Sequence, residues 1–403
     1  MKAETRSAGD ERALARRLIM VVVALTVIAP FSIDTFLPSL PHIAREFGAS
    51  EFYLQQTLSL YLIGFAAMTL VYGPLSDAFG RRRVVLVSLA GYILTSIACA
   101  LAPTAHALVL ARIGQGVAAS GGLVVGRAVV RDSFTGAPAQ RVMSQVMLIF
   151  SIAPAVAPII GGWLHDVFGW RAVFWFMAAL GVLVWLWAAL RLPETLTADE
   201  RHPGHPRAIA IAYWRALRIP AFMLLIFAIA LNFSGMFLYI AGSPVLLYRD
   251  LGLGAQDFWM LFIPVVAGLM GGAYISGRMA GHYTHAQAVV VAYWIMLSAA
   301  VLNLGLNLAL PPSPLTVIGP IAVYACGMSL GTPNLSLLAF DLLPRNRGLA
   351  SALQNFTQTT LAALVAGLLV AVVAGHVTWF ATGTLCICAL GFACWLVARR
   401  LSP

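Results

Sequence analysis

The chain has 403 residues, 61% hydrophobic and only 10% charged, with a net charge of +10 and a mean hydropathy of +0.88. Soluble domains carry about 25% charged residues, so the composition weighs against a soluble enzyme or nucleic-acid binder and indicates an integral membrane protein. The five cysteines, Cys99, Cys326, Cys386, Cys388 and Cys394, all fall in apolar runs and read as small core residues, with no disulfide framework.

The N-terminal MKAETRSAGDERALARR is polar and basic. The apolar run that follows is too long for a signal-peptide core and reads as a retained first span. Runs of spanning length lie at 18–40, 53–75, 84–102, 107–126, 142–164, 171–191, 219–241, 256–277, 285–308, 314–337, 348–373 and 377–398. The long connection LPETLTADERHPGHPRAIAIAYWRALR is polar and rich in Pro and His. It divides the chain into an N-terminal six-helix bundle (1–191), a cytoplasmic linker (192–218) and a C-terminal six-helix bundle (219–403). The expected fold is an all-α membrane protein of twelve transmembrane helices.

The basic residues set the orientation. With the N-terminus in the cytoplasm, all of the 25 Lys and Arg residues fall on the cytoplasmic side except Arg45, Arg171 and Arg249 outside and Arg112 within a span. This is the positive-inside pattern, and it puts both termini in the cytoplasm. The net charge is then topology and needs no nucleic-acid partner.

Sorted the same way, the acids leave only Asp34 well inside a span, within IAPFSIDTFLPSLP. The membrane interior therefore holds one acid and one base, Asp34 and Arg112. A charge at a helix centre costs about 2.5–3.5 kcal/mol on insertion scales and marks a functional site by default. The bland alternative is a buried ion pair that only locks helices together. Both residues lie roughly 8–10 Å below the outer surface at about 1.5 Å per residue, so contact is possible if spans 1 and 4 are neighbours. Burial favours the neutral acid and a nearby guanidinium favours the carboxylate. A change in access or distance would move the proton balance of Asp34. Pro30 and Pro38 break the regularity of the helix that presents it.

Three stretches then carry a resemblance. GPLSDAFGRRR, Gly73 to Arg83, resembles the loop signature of the major facilitator superfamily, with Ala78 where a basic residue is usual. From the residues alone, Gly80 permits a tight turn, and Asp77 can cap a helix N-terminus or pair with Arg81. The resemblance implies that Gly73, Asp77, Gly80 and Arg81 form a conformational latch between the halves, with Asp77 facing the start of span 11. LVLARIGQGVAASGG resembles the span-4 signature of that family, which implies a proton-coupling role for Arg112. APAVAPIIGG resembles the span-5 antiporter signature, with Pro154, Pro158, Gly161 and Gly162 as packing and kink positions and alanines at 153 and 157 where glycine is usual. With SIDTFLPSLP, LQQTLSLYLIGFA and RAVVRD, the chain resembles the bicyclomycin-resistance (Bcr/CflA) type of multidrug:proton antiporter. That implies two pseudo-symmetric bundles rocking about a central cavity, in a bacterial cytoplasmic (inner) membrane.

Candidate cavity residues are Phe31, Phe36, Tyr61, Phe65, Gln115, Asn232, Met236 and Phe237, each balanced against ordinary helix packing. Asn334, Asn355 and Gln358 are further candidates. A greasy cavity with one acid suits lipophilic or cationic drugs better than sugars. The partners expected are a small-molecule drug, protons and the lipid bilayer, with no nucleic acid, and the chain is expected to work as a monomer. No cofactor or metal is expected: the histidines fall in loops or span ends, His202 and His205 read as a solvated linker, and no nucleotide-binding glycine loop occurs. The alternative reading is a proton-linked or facilitative carrier of a single physiological metabolite.

Overall fold

The computed structural model describes residues 8–134, 136–196, 206–344 and 346–401. His202, His205, Arg345 and the middle of the expected linker lie outside the described residues. In chain order the helices are α1 (Ala8–Asp34), α2 (Leu40–Phe47), α3 (Glu51–Thr69), α4 (Tyr72–Phe79), α5 (Arg81–Ala100), α6 (Ala105–Ser133), α7 (Gly136–Phe168), α8 (Trp170–Arg191), α9 (Pro206–Leu217), α10 (Pro220–Ala241), α11 (Trp259–Met279), α12 (His285–Ala309), α13 (Pro314–Asp341), α14 (Arg347–Leu364), α15 (Val370–Val373) and α16 (Val377–Leu401). Among the described residues, eleven helical segments are long and apolar enough to cross a membrane, and α3 with α4 makes a twelfth, bent by 48°. Twelve crossings put both termini at one end of the bundle, here the near end; the opposite end is the far end.

Local chemistry explains where helices stop. Ser50, Thr104, Thr284 and Ser313 cap α3, α6, α12 and α13 by accepting from the backbone N–H three residues on. The first span was expected to reach Leu40 as a helix made irregular by Pro30 and Pro38. Instead α1 ends at Asp34, a 3-10 turn covers Leu37–Ser39, and α2 begins at Leu40. Pro38 has no N–H for the Asp34 carbonyl and Pro41 has none for that of Leu37, so a continuous helix would lose two bonds within one turn. Pro30 stays inside α1. The second span bends between α3 and α4, where Pro74 cannot donate to Leu70. Between α4 and α5 the chain turns at Gly80, with φ of 92°, a conformation that L side chains avoid. The eleventh span carries a π-helical turn, Val365–Leu369.

Packing repeats between the halves. In the first, α6 packs on α3 and α5, α5 on α8, and α1 on α7. In the second, α13 packs on α11 and α12, α12 on α16, and α10 on α14. The two six-helix bundles are thus pseudo-symmetric. Their outer surface is apolar: Leu94 is 67% exposed, Trp294 73% and Leu315 81%, as a lipid-facing belt requires.

The halves meet through α3 against α14 and its π-helical turn, and through α7 against α11 and the 3-10 turn Ala255–Phe258 that precedes it. Most hydrogen bonds that cross this seam lie toward the far end. Gln55 donates to the Ala241 carbonyl at 2.9 Å, Gln56 to that of Gly367 at 2.8 Å and Ser59 to that of Ala363 at 2.8 Å. On the other flank Gln256 donates to Asp166 at 3.0 Å, and the Tyr248 hydroxyl donates to the Pro38 carbonyl at 2.9 Å. Gly162 comes so close to the Ala255 backbone that a Cβ would collide with it. The expected linker is not all loop: α9 folds within it at the near end.

Candidate functional site

The break after Asp34 leaves the last carbonyls of α1 short of donors. Arg112, on α6, supplies one. Its Nη1 donates to the Ser32 carbonyl at 3.0 Å and to Gln115 Oε1 at 2.5 Å, and its Nε donates to the Thr57 carbonyl of α3 at 3.3 Å. The guanidinium is flanked by two aromatic rings, Tyr61 with its centroid 4.3 Å away and Phe36 at 4.9 Å. Such cation–π contacts contribute about 2 kcal/mol when desolvated. Arg112 is fully buried, and its Nη2 has no hydrogen-bond partner among the described residues.

Neutral groups complete a ring around it. Gln115 Nε2 donates to Ser96 Oγ at 2.8 Å, and Ser96 donates to the Tyr92 carbonyl at 2.7 Å. Ser32 Oγ lies 2.7 Å from both the Ile28 carbonyl and the Tyr92 hydroxyl. A carbonyl only accepts, so the serine proton goes to Ile28 and Tyr92 donates to Ser32. Three helices, α1, α5 and α6, are therefore closed into one hydrogen-bonded circuit, with α3 attached through Thr57.

Asp34 lies beside this circuit and outside it. It is 4% exposed. The ion pairs among the described residues are Arg81 with Asp77 and Asp132, Arg171 with Glu46, Arg249 with Asp250, and Arg347 with Asp341; Asp34 is in none. Spans 1 and 4 are neighbours, yet Arg112 engages the backbone two residues before Asp34 rather than its carboxylate. Gly161 of α7 presses on the backbone of Thr35, where a Cβ would collide, and Tyr248 of the second half holds Pro38. The segment that carries Asp34 is thus gripped from both halves. Pro154 and Pro158 lie inside α7 without ending it.

The other cavity candidates divide. Phe36 and Tyr61 flank Arg112; Tyr61 also neighbours Phe65, and Phe31 neighbours Phe176. Gln115 turns into the first bundle, toward Ser96 and the Met177 sulfur. Asn232 turns into the second, where its side chain donates to the Tyr293 hydroxyl at 3.0 Å and its main-chain carbonyl accepts from Tyr324 at 3.0 Å. Met236 is buried, and Phe237 stacks on Phe233 with centroids 5.5 Å apart. The structure does not gather these residues into one cluster.

At the near end, the loop signature is locked inside the first half. Arg81, 3% exposed, binds Asp77 at 2.6 Å, Asp132 at 2.9 Å and Ser76 Oγ at 2.5 Å. Glu194, just past α8, accepts from the backbone N–H groups of Arg81 and Arg82 and so caps α5. Of the two roles open to Asp77, the structure takes the pair with Arg81. Gly73 has open space around it. Sequence reading missed Asp132 and Glu194 as partners, although RAVVRD holds the first. It also missed Ser32, Thr57, Tyr92 and Ser96, whose signal was hydroxyl groups in apolar spans at the depth of Arg112.

Two like-packed six-helix bundles, with a charged cluster at membrane depth in one of them, define a membrane transporter. The chain belongs to the Major Facilitator Superfamily, whose family model matches residues 22–367. Among its relatives, the uncharacterized MFS-type transporter YdgK of Bacillus subtilis is 33% identical over 357 residues, 87% of this chain and 88% of that one. The multidrug resistance protein MdtL of Escherichia coli is 28% identical over 85% of each chain. The bicyclomycin resistance protein homolog of Haemophilus influenzae is 25% identical over 87% of this chain and 88% of its own length. In fold the chain is similar to a bacterial homolog of the human lysosomal transporter Spinster, with a TM-score of 0.68 at 15% identity over 98% of this chain and 97% of that one. It is also similar to the human organic anion transporter MFSD10, with a TM-score of 0.67 at 18% identity over 96% and 99%.

Proposed function

We propose that the chain exports small amphipathic drugs from the bacterial cytoplasm across the inner membrane, in exchange for protons, by alternating access. The observation that carries this reading is the setting of Asp34. It is a buried acid with no ion-pair partner among the described residues, on a broken helix end that the opposite half holds through Tyr248 and Pro38. When the halves rock apart at the far end, that grip is lost and the surroundings of Asp34 change. A proton taken up from outside is then released inside. One pH unit supplies about 1.4 kcal/mol per proton, and about 100 mV adds 2.3 kcal/mol per charge, enough for a useful solute gradient.

In this reading Arg112 is the fixed cation that holds α1, α3 and α6 in register beside the acid. Gly73, Asp77, Gly80 and Arg81 form the near-end latch, with Asp77 free on its exposed side to meet α14 when the near end closes. Phe31, Phe36, Tyr61 and Phe65 offer apolar contact to cargo; Asn232, Met236 and Phe237 do so from the second half. Both termini face the cytoplasm, residues 1–191 and 219–403 move as the two bodies, and the working unit is a monomer. The relatives named for multidrug and bicyclomycin resistance support export of drugs.

The experiment is drug-driven proton release in proteoliposomes, wild type against Asp34→Asn. Release by the wild type and none by the variant supports exchange through Asp34. Release by both moves the proton site elsewhere. No release over a broad drug panel, with exchange of one metabolite instead, favours the single-metabolite carrier.

A further inference from the structure

We infer that α9 is a membrane-surface strap whose cavity binds the headgroup of an anionic phospholipid. Along α9 and the residue after it, Ile211, Trp214, Arg215 and Arg218 recur at i, i+3, i+4 and i+7, and so share one face. All four are exposed; Ile211 is 42% and Trp214 57% accessible. Arg218 lies over the Trp214 ring, 5.0 Å from its centroid. The opposite face is turned inward: Ala216 is buried, and the Tyr213 hydroxyl donates to the Leu70 carbonyl at 3.4 Å. A helix with one face on protein, and the other built of tryptophan, aliphatic and arginine side chains, lies in the interface plane of a bilayer. Its place at the near end, where the spans emerge, sets it at that depth.

A cavity of about 330 Å³ opens beside it, between α9 and the junction of α13 with α14. Its polar side chains are Arg215 and Asn346; Ile211, Ile219 and Leu343 supply apolar walls. Among the described residues, none that line it is acidic. At that junction Asp341, the last residue of α13, is engaged by Arg347 at 3.2 Å. Among the described residues the Arg215 side chain has no ion-pair partner. An arginine and an amide over aliphatic walls match a phosphate with its glycerol and first acyl carbons. The negative charge of the leaflet completes the match.

The strap touches both halves. Tyr213 reaches the end of α3, while α9 also packs on α10 and α14. A lipid seated under Arg215 therefore holds the near-end geometry of α3 relative to α14.

The test is lipid retention by the full chain, read by native mass spectrometry after reconstitution in phosphatidylcholine with phosphatidylglycerol. It reads binding, so it stands apart from any result on drug or proton exchange. Wild type is expected to keep phosphatidylglycerol after phosphatidylcholine has dissociated. Arg215→Gln is expected to keep it no better than phosphatidylcholine, with an unchanged melting temperature, and Arg399→Gln to behave as wild type. Equal retention of the two lipids by wild type overturns the proposal, as does undiminished phosphatidylglycerol on Arg215→Gln. Displacement of the lipid by millimolar inorganic phosphate also overturns it, because the cavity would then be a site for free anions.

Discussion

Arg112 donates to the main-chain carbonyl of Ser32 at 3.0 Å, while the carboxylate of Asp34, two residues on, has no ion-pair partner among the described residues. The cation is committed to the backbone of α1, so under the proposed exchange Asp34 could gain or lose a proton without unmaking the cluster. Arg112→Lys is expected to abolish drug-driven proton release although the protein still inserts. A lysine ammonium cannot serve α1, α3 and Gln115 together from one planar fork. Retention of coupling by the lysine variant would refute the clamp role.

Gln115→Leu tests the circuit without touching either charge. It removes the acceptor at 2.5 Å from Arg112 and the donor to Ser96. A bond to a charged group contributes about 1.5–3 kcal/mol, and the buried guanidinium is left short of a partner. The expected result is a melting temperature several degrees lower in detergent, with cargo affinity nearly unchanged. A large loss of affinity with no loss of stability would make Gln115 a cargo residue.

Arg81 sits between Asp77 and Asp132, buried at 3%. Arg81→Gln leaves two carboxylates without their cation, which costs about 3 kcal/mol when a buried pair is broken. Asp77, 49% exposed, contributes the smaller share. Asp77→Ala is therefore expected to leave the fold and cargo binding intact while impairing transport. Loss of binding in a fully inserted protein would count against the latch.

The far-end seam predicts a change of conformational balance. Tyr248→Phe removes the donor to Pro38, and Gln256→Leu the donor to Asp166. Each hydrogen bond contributes about 1 kcal/mol, roughly a five-fold shift in a two-state equilibrium. Spin-label distances across the far end should lengthen in a larger fraction of molecules for either variant, and further for both. Unchanged distance distributions would show that these bonds do not hold the seam.

Gly161 and Gly162 set how closely α7 approaches its neighbours. Gly161→Ala would drive a methyl into the Thr35 backbone, and Gly162→Ala into that of Ala255. Overpacking of this kind costs about 1–3 kcal/mol. The Gly162 variant should open the far end more often, because Ala255 belongs to the other half. The Gly161 variant should lower stability, because Thr35 belongs to the same half.

Much of this was legible in the sequence because bilayer thickness fixes span length, and charge is excluded from the bilayer interior. The twelve runs, Asp34 and Arg112 as the interior charges, and the loop signature around Asp77 follow from composition along the chain. Partners did not follow. Glu194 and Asp132 lie far from Arg81 in sequence, and only packing brings them to it. The break after Asp34 was half visible: Pro38 announces a lost hydrogen bond, but its neighbours decide whether the helix kinks or ends.

Sequence by itself determined the class, the span count and the two interior charges, because hydrophobic transfer and the cost of burying charge act residue by residue. Tertiary structure alone decided that Arg112 binds the Ser32 carbonyl instead of pairing with Asp34. A hydrogen bond needs donor and acceptor within about 3 Å. Residues 80 positions apart reach that distance only when α1, α3 and α6 have packed around them.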